Sequence, residues 1–169
     1  MLFPQHVSGG LIAGTAVAAA QYYSQHYHVL DLPFVPYWLL LGCTFFFAIF
    51  PDLDTASVPQ RWFYRCLLLT LLTCVYFEQF RIGLWLAILS YLPLLDHHRG
   101  WTHHKLAPLV VPLMFLIMIH VLAEGRKHWG QMTLDQVVSL AYQNAWLLFA
   151  CAIGWYTHLI LDGLLIKIK

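Results

Sequence analysis

The chain has 169 residues, of which 60% are apolar and only 10% are charged, and its mean hydropathy is +0.67. A soluble domain carries roughly 25% charged residues, so this composition excludes an ordinary soluble fold and predicts an integral membrane protein. The net charge of +1 provides no basic surface, and we expect no nucleic-acid partner.

Long apolar segments predict about six membrane-spanning helices, because a helix that crosses the hydrocarbon core needs roughly 17–25 residues. In chain order they cover approximately residues 8–24, 35–50, 61–77, 82–95, 106–123 and 133–165. Gly10 and Gly14 form a GxxxG pair that favours close helix packing. Thr133 and Gln136 predict a capping box at the start of the last helix. The sequence thus predicts an all-α fold, a polytopic transmembrane bundle forming a single domain over residues 1–169.

Three polar segments are expected at one membrane face. Pro51–Asp54 and Asp96–His104 follow two and four predicted crossings, and the sixth span brings His158–Asp162 back towards the same side, the one that holds the N-terminus. Lys and Arg residues near the span ends favour that side as cytoplasmic by five to three, once Arg99 is counted as a site residue. We therefore expect a polar site that faces the cytoplasm.

The segment Asp96–His104 contains an aspartate, an arginine and four of the ten histidines, between two apolar spans. Such side chains are costly near hydrocarbon unless they hold a metal, a proton path or a charged substrate. His98 and His103 are the better ligand candidates, because Gly100 lets the backbone turn between them. Asp96 is either a ligand or a partner of one.

The remaining residues of this segment leave alternatives open. Arg99 either binds an anion such as phosphate through its planar fork or anchors the topology. The sequence does not decide whether His97 or His98, and His103 or His104, points inward. The Thr102 hydroxyl is expected to cap the fifth helix.

Two further pairs have the spacing of metal ligands. Asp52 and Asp54 point to the same side if their segment is extended, so both could reach one ion or bridge two; alternatively they are a polar helix stop. His158 and Asp162 share one helix face, and the carboxylate is a second ligand or the acceptor that fixes the imidazole tautomer. His6 could complete the cluster, although a lone terminal histidine is usually structural.

Taken together, these motifs resemble the membrane-bound metal-dependent hydrolases described as LexA-binding, inner-membrane-associated hydrolases. The matching elements are His6, PDLD followed by Ser57 and Arg61, HRGWTH and HLILD, in that order and across nearly the whole chain. Gln5 and His104 depart from the small residues usual at their positions. The resemblance implies an inner (plasma) membrane location and adds Arg99 to the site. It implies these metal ligands: His6, Asp52, Asp54, His98, His103, His158 and Asp162.

The leading hypothesis is a metallohydrolase that cleaves a phosphoester, with membrane lipids as partners and a lipid-like substrate. Mixed imidazole and carboxylate ligands suit Zn, Mn or Fe, and such a set is large enough for two divalent ions about 3.5–4 Å apart. Arg99 would bind the phosphate, and His97 or His104 would protonate the leaving group. A fainter similarity of HRGxTH and HxxxD to zinc-dependent phospholipase C and nuclease sites favours phosphoesters.

Two other classes of function are compatible with the sequence. A metal or proton transporter could use the same His/Asp cluster, but transport sites tend to lie near the bilayer midplane on broken helices. A membrane docking protein for a soluble regulator would need more loop surface than these short connections offer. The clustering at span ends favours the enzyme.

Overall fold

A computed structural model of the chain describes residues 3–54, 57–95, 101–123 and 132–164. These residues form helices and turns without any strand, which confirms the all-α class for them. They divide into two compact units, Met1–Ile49 with Lys105–Lys169, and Phe50–His104. The α-helices are α1 (Phe3–His26), α2 (Tyr37–Ile49), α3 (Val58–Tyr76), α4 (Phe80–Tyr91), α5 (Ala107–Ala123), α6 (Leu134–Gln143) and α7 (Ala145–Leu161).

A strict criterion of helix length and apolarity identifies fewer membrane spans than the six that the sequence predicts. Within the described residues, Tyr37–Asp54 is the one helical run that is long and apolar enough to cross a membrane, with a mean hydropathy of 1.3 over 18 residues. The bent pair α6 and α7 adds a second if it is counted as one span, and α4 and α5 are apolar but shorter. The count of about six spans stays a prediction.

The expectation of one continuous last helix is wrong. α6 and α7 meet at Asn144 with a bend of 77°. The Asn144 side chain donates from Nδ2 to the Leu140 carbonyl at 2.9 Å, which ends α6, since asparagine competes locally for backbone groups. At the other end of α6 the predicted capping box is confirmed, because Thr133 and Gln136 each bond the other's backbone N–H.

Three glycines bring α1, α2 and α7 into close contact in the first unit. A Cβ added at Gly10 of α1 would lie 2.7 Å from the Cβ of Ala48 in α2, and Gly14 lies against the same helix. The predicted packing role of this GxxxG pair is confirmed. Gly154 of α7 is even closer to α2, because an added Cβ would overlap the carbonyl oxygen of Thr44.

In the second unit, the start of α3 is tied to the 3₁₀ turn Phe50–Asp54 that contains the PDLD sequence. Ser57 caps α3, because its hydroxyl accepts from the Gln60 backbone N–H at 3.2 Å. The same hydroxyl donates to the Asp52 carbonyl at 2.9 Å, and the Gln60 side chain donates to the Leu53 carbonyl at 3.0 Å. These bonds hold the aspartates in a defined turn.

The Gly154 contact predicts a stability effect. We expect Gly154→Ala to destabilise the protein by about 1–3 kcal/mol, because the Thr44 carbonyl belongs to a helix backbone that cannot move aside cheaply. The measurement is thermal unfolding of the detergent-solubilised protein. Gly42→Ala in α2 is the matched control, since no described atom lies within 4 Å of its added Cβ. Equal melting temperatures for the two variants would contradict the close approach of α7 to α2.

Candidate functional site

Three predicted ligands, His6, His158 and Asp162, meet at one end of the first unit, where α1 begins and α7 ends. The two imidazole rings stack with centroids 4.2 Å apart. Nε2 of His6 lies 3.3 Å from one carboxylate oxygen of Asp162, and Nε2 of His158 lies 3.5 Å from the other. Both histidines are buried, at 2% and 0% exposure. One carboxylate is thus shared by two imidazoles that water barely reaches.

The hydrogen bonding of His158 fixes its tautomer. Nδ1 lies 2.9 Å from the backbone carbonyl of Ala48 in α2. A carbonyl oxygen only accepts, so Nδ1 carries the hydrogen and donates it. In the neutral ring, Nε2 then presents its lone pair to Asp162, which is itself an acceptor when ionised. Two facing acceptors are stabilised when a proton or a metal ion lies between them.

Each imidazole–carboxylate pair of this first cluster has the spacing of two ligand atoms on one metal ion. Ligand atoms bound at about 2.0–2.2 Å to a tetrahedral ion lie about 3.3–3.6 Å from each other. The two imidazole–carboxylate separations, 3.3 and 3.5 Å, fall in that range. In addition, Nδ1 of His6 is buried without a hydrogen-bond partner among the residues that the structure describes. Leaving such a nitrogen unsatisfied costs about 1–3 kcal/mol, which favours a bound ligand or water at this end of the unit.

The second unit contains its own cluster, formed by Asp54, Thr102 and His103. The Thr102 hydroxyl donates to Oδ2 of Asp54 at 2.9 Å and lies 2.9 Å from Nδ1 of His103. Because its single hydrogen goes to Asp54, this hydroxyl accepts from Nδ1–H of His103. The side chains of Asp54 and His103 are almost fully buried. As in His158, the tautomer leaves the lone pair on Nε2.

Thr102 is the residue whose role the sequence-based prediction assigned wrongly. α5 begins at Ala107, and Thr102 lies in the 3₁₀ turn Trp101–His103, so it does not cap that helix. Its hydroxyl instead orients two candidate ligands. The position of Thr102 directly before His103 in HRGWTH was the one feature of the sequence that pointed to this role. The Ala48 carbonyl that orients His158 was also missed, because a backbone acceptor carries no signal in sequence.

The structure differs from the extended geometry considered for PDLD. Asp52 and Asp54 do not lie in an extended segment but in the 3₁₀ turn. The Asp54 carboxylate accepts from the Thr102 hydroxyl, and this turn, rather than an extended segment, sets the directions of both carboxylates.

The remaining predicted site residues divide into two groups. Of the pair His103 and His104, the first is buried and the second is exposed, which decides which of the two points inward. Ser57 is a helix cap, and Arg61 is exposed on the first turn of α3. The other group lies outside the described residues and consists of Asp96, His97, His98 and Arg99.

A family model described as YdjM inner membrane protein matches residues 1–165. This range includes every residue of both clusters. No curated protein and no solved structure gives a significant match.

The geometry of the second cluster can be tested by removing one hydroxyl. We expect Thr102→Val to destabilise the protein by about 1–3 kcal/mol, because it removes a donor to the buried Asp54 and the acceptor of His103. Thr102→Ser keeps the hydroxyl and should recover most of that loss. Chemical unfolding in detergent measures both. A valine variant as stable as the serine variant would show that the hydroxyl does not hold these side chains.

Proposed function

We propose that this chain, which belongs to the YdjM inner membrane protein family, is a metal-dependent hydrolase of that membrane that cleaves a phosphoester. The observation that supports the proposal most is the arrangement of His158. Its Nδ1–H is held by a backbone carbonyl, and its Nε2 lies 3.5 Å from a carboxylate oxygen of Asp162. This is the arrangement in which an outer oxygen orients an imidazole for a metal ion.

The proposed ligands are the seven residues that the sequence predicts. Zn, Mn and Fe suit such a mixed set of imidazoles and carboxylates, and the number of ligands suits two ions. When bound, such ions lower the pKa of a coordinated water towards about 7 and stabilise charge on the reacting oxygens. The ligands proposed are His6, His158 and Asp162 in the first unit and Asp52, Asp54, His98 and His103 in the second.

The other roles belong to side chains that orient ligands or contact substrate. The Ala48 carbonyl and the Thr102 hydroxyl keep the Nε2 lone pairs of His158 and His103 available for metal. Arg99 is proposed to bind the phosphate with parallel N–H donors. His97 or His104 is proposed to protonate the leaving oxygen, a role for which the exposure of His104 gives access to substrate.

A lipid-like substrate is proposed because the helices expose apolar side chains where a soluble protein would expose polar ones. Leu68 and Leu72 of α3 and Met114 of α5 are more than half exposed. Apolar surface of this extent is typical of contact with lipid. We further propose that the site faces the cytoplasm, from the distribution of Lys and Arg along the sequence.

A transporter that uses the same ligands is the alternative. Transport sites tend to lie near the bilayer midplane on discontinuous helices. The first cluster instead lies at helix ends, with His6 in the first turn of α1 and His158 in the last turn of α7. This position supports a hydrolytic site at the membrane interface.

Metal content is the first test. We expect the purified wild type to contain bound transition metal and His158→Ala to bind it at least about 10–100-fold more weakly, the loss typical of perturbing a ligand's surroundings. His26→Ala is the matched control, since His26 is an exposed histidine at the opposite end of α1. Elemental analysis after purification measures all three proteins. A wild type free of metal would exclude the proposed site.

Activity is the second test. Wild type and the double variant Asp52→Ala/Asp54→Ala are compared on a panel of phospholipids and water-soluble phosphoesters. We expect hydrolysis of at least one lipid phosphoester by the wild type and loss of it in the variant. A metal-loaded protein that hydrolyses no ester but moves ions into liposomes would favour the transporter instead.

A further inference from the structure

α6 differs from the other helices in carrying two unlike faces. Its polar residues lie together on one side: Asp135, Gln136, Ser139 and Gln143. Leu134, Val138 and Tyr142, spaced by four residues, form a stripe on another side, and each is more than half exposed. Leu140 lies on a third side of the helix and is buried within the first unit. The exposed stripe therefore remains available for a partner outside this unit.

The direction of α6 is set by its bend from α7. α7 is a 17-residue apolar helix, about 25 Å long at 1.5 Å per residue. α6 meets it at 77°. When α7 runs along the membrane normal, α6 consequently lies almost in the membrane plane.

Exposed aromatic side chains lie at the end of the first unit where α1 ends and α2 begins. They belong to the end of α1, the segment that follows it and the start of α2, and α6 reaches them because the Tyr142 hydroxyl donates to the Asp31 carbonyl. Trp and Tyr concentrate at membrane–water interfaces, where the ring contacts acyl chains and the polar group contacts water. The exposed aromatic residues are Tyr22, Tyr23, Tyr27, Phe34, Tyr37 and Trp38.

We propose that α6 is an interfacial helix whose Leu134–Val138–Tyr142 stripe contacts the boundary between lipid headgroups and acyl chains. A flat helix with an apolar face buried about 5–10 Å at this boundary is a known mode of membrane contact. The exposed aromatic side chains lie at the end of the unit where the Tyr142 hydroxyl meets the Asp31 carbonyl, and apolar surface spread over several elements fits lipid better than a compact protein-binding patch. The membership of the chain in an inner membrane protein family supports a lipid bilayer as the partner of this stripe.

This placement also locates the first cluster. His6 lies at the start of α1, and the aromatic residues lie at its end, so that α1 rises about 30 Å between His6 and His26. That is the thickness of the hydrocarbon core. His6, His158 and Asp162 are therefore at the membrane face opposite α6. This assignment of faces does not depend on whether the cluster binds a metal.

Spin labels on α6 test the lipid contact. Val138→Cys on the stripe, Ser139→Cys on the polar face and Met114→Cys on exposed α5 are compared in a full-length chain whose four native cysteines are replaced by alanine. The label positions are probed in vesicles of phosphatidylethanolamine and phosphatidylglycerol. We expect the ratio of oxygen to nickel-chelate collision rates to be several-fold higher at 138 than at 139, and highest at 114.

Three outcomes would overturn the proposal. Equal, nickel-rich accessibility at 138 and 139 would place both faces in water, as for a surface that binds a soluble protein. Oxygen-rich values at both positions, equal to that at 114, would place α6 inside the bilayer as part of a span. A label at 138 shielded from both reagents would indicate a protein contact, including one with a second copy of the chain, and would equally contradict lipid contact.

Labelling from each side tests the opposite positions of α6 and the first cluster. Gln5, next to His6 in the chain, and Ser139 on α6 are both exposed. Each is replaced by cysteine in a separate variant, Gln5→Cys or Ser139→Cys. In sealed membrane vesicles, an impermeant maleimide should label only one of the two variants, and vesicles of inverted orientation should reverse the pattern. Labelling of both variants from the same side would contradict the assignment of faces.

Discussion

The candidate site in the first unit depends on glycines that let three helices touch. Gly154 allows α7 to approach the Thr44 carbonyl of α2, and one turn further along both helices the same approach brings Nδ1 of His158 to the Ala48 carbonyl at 2.9 Å. Gly10 acts in the same way for α1, because it lies against Ala48 one turn after His6. The stacking of the two imidazoles at 4.2 Å follows from these two contacts.

A buried histidine is oriented by the same kind of hydrogen bond in both units. In each, an oxygen of the protein accepts the Nδ1 hydrogen, so that the Nε2 lone pair is directed elsewhere. In the first unit this oxygen is a backbone carbonyl, fixed by helix packing. In the second it is the Thr102 hydroxyl, which is fixed in turn by its bond to Asp54. A buried imidazole held in one tautomer needs less reorganisation to bind an ion than one that is free to rotate.

Local sequence signals predicted the helical part of the chain well. The spans that became α1, α2, α3, α4 and α5 follow from runs of apolar residues, and the capping box at Thr133 follows from side chains three apart. The break at Asn144 was not predicted, because apolar residues continue on both sides of it. The proposed membrane contact of α6 depends on that break. Without it, α6 would continue in the direction of α7, and its stripe would not lie along the membrane surface.

The sequence by itself determined the residue types of the site and the order of the helices that carry them. Composition and periodicity are local properties, and they identify His6, His158 and Asp162 as polar groups at the ends of apolar helices. The tertiary structure decided which nitrogen of His158 and of His103 is available, how PDLD turns and which of His103 and His104 is buried. These features depend on backbone atoms and on hydroxyls brought together from distant parts of the chain, and no residue pattern encodes such contacts directly.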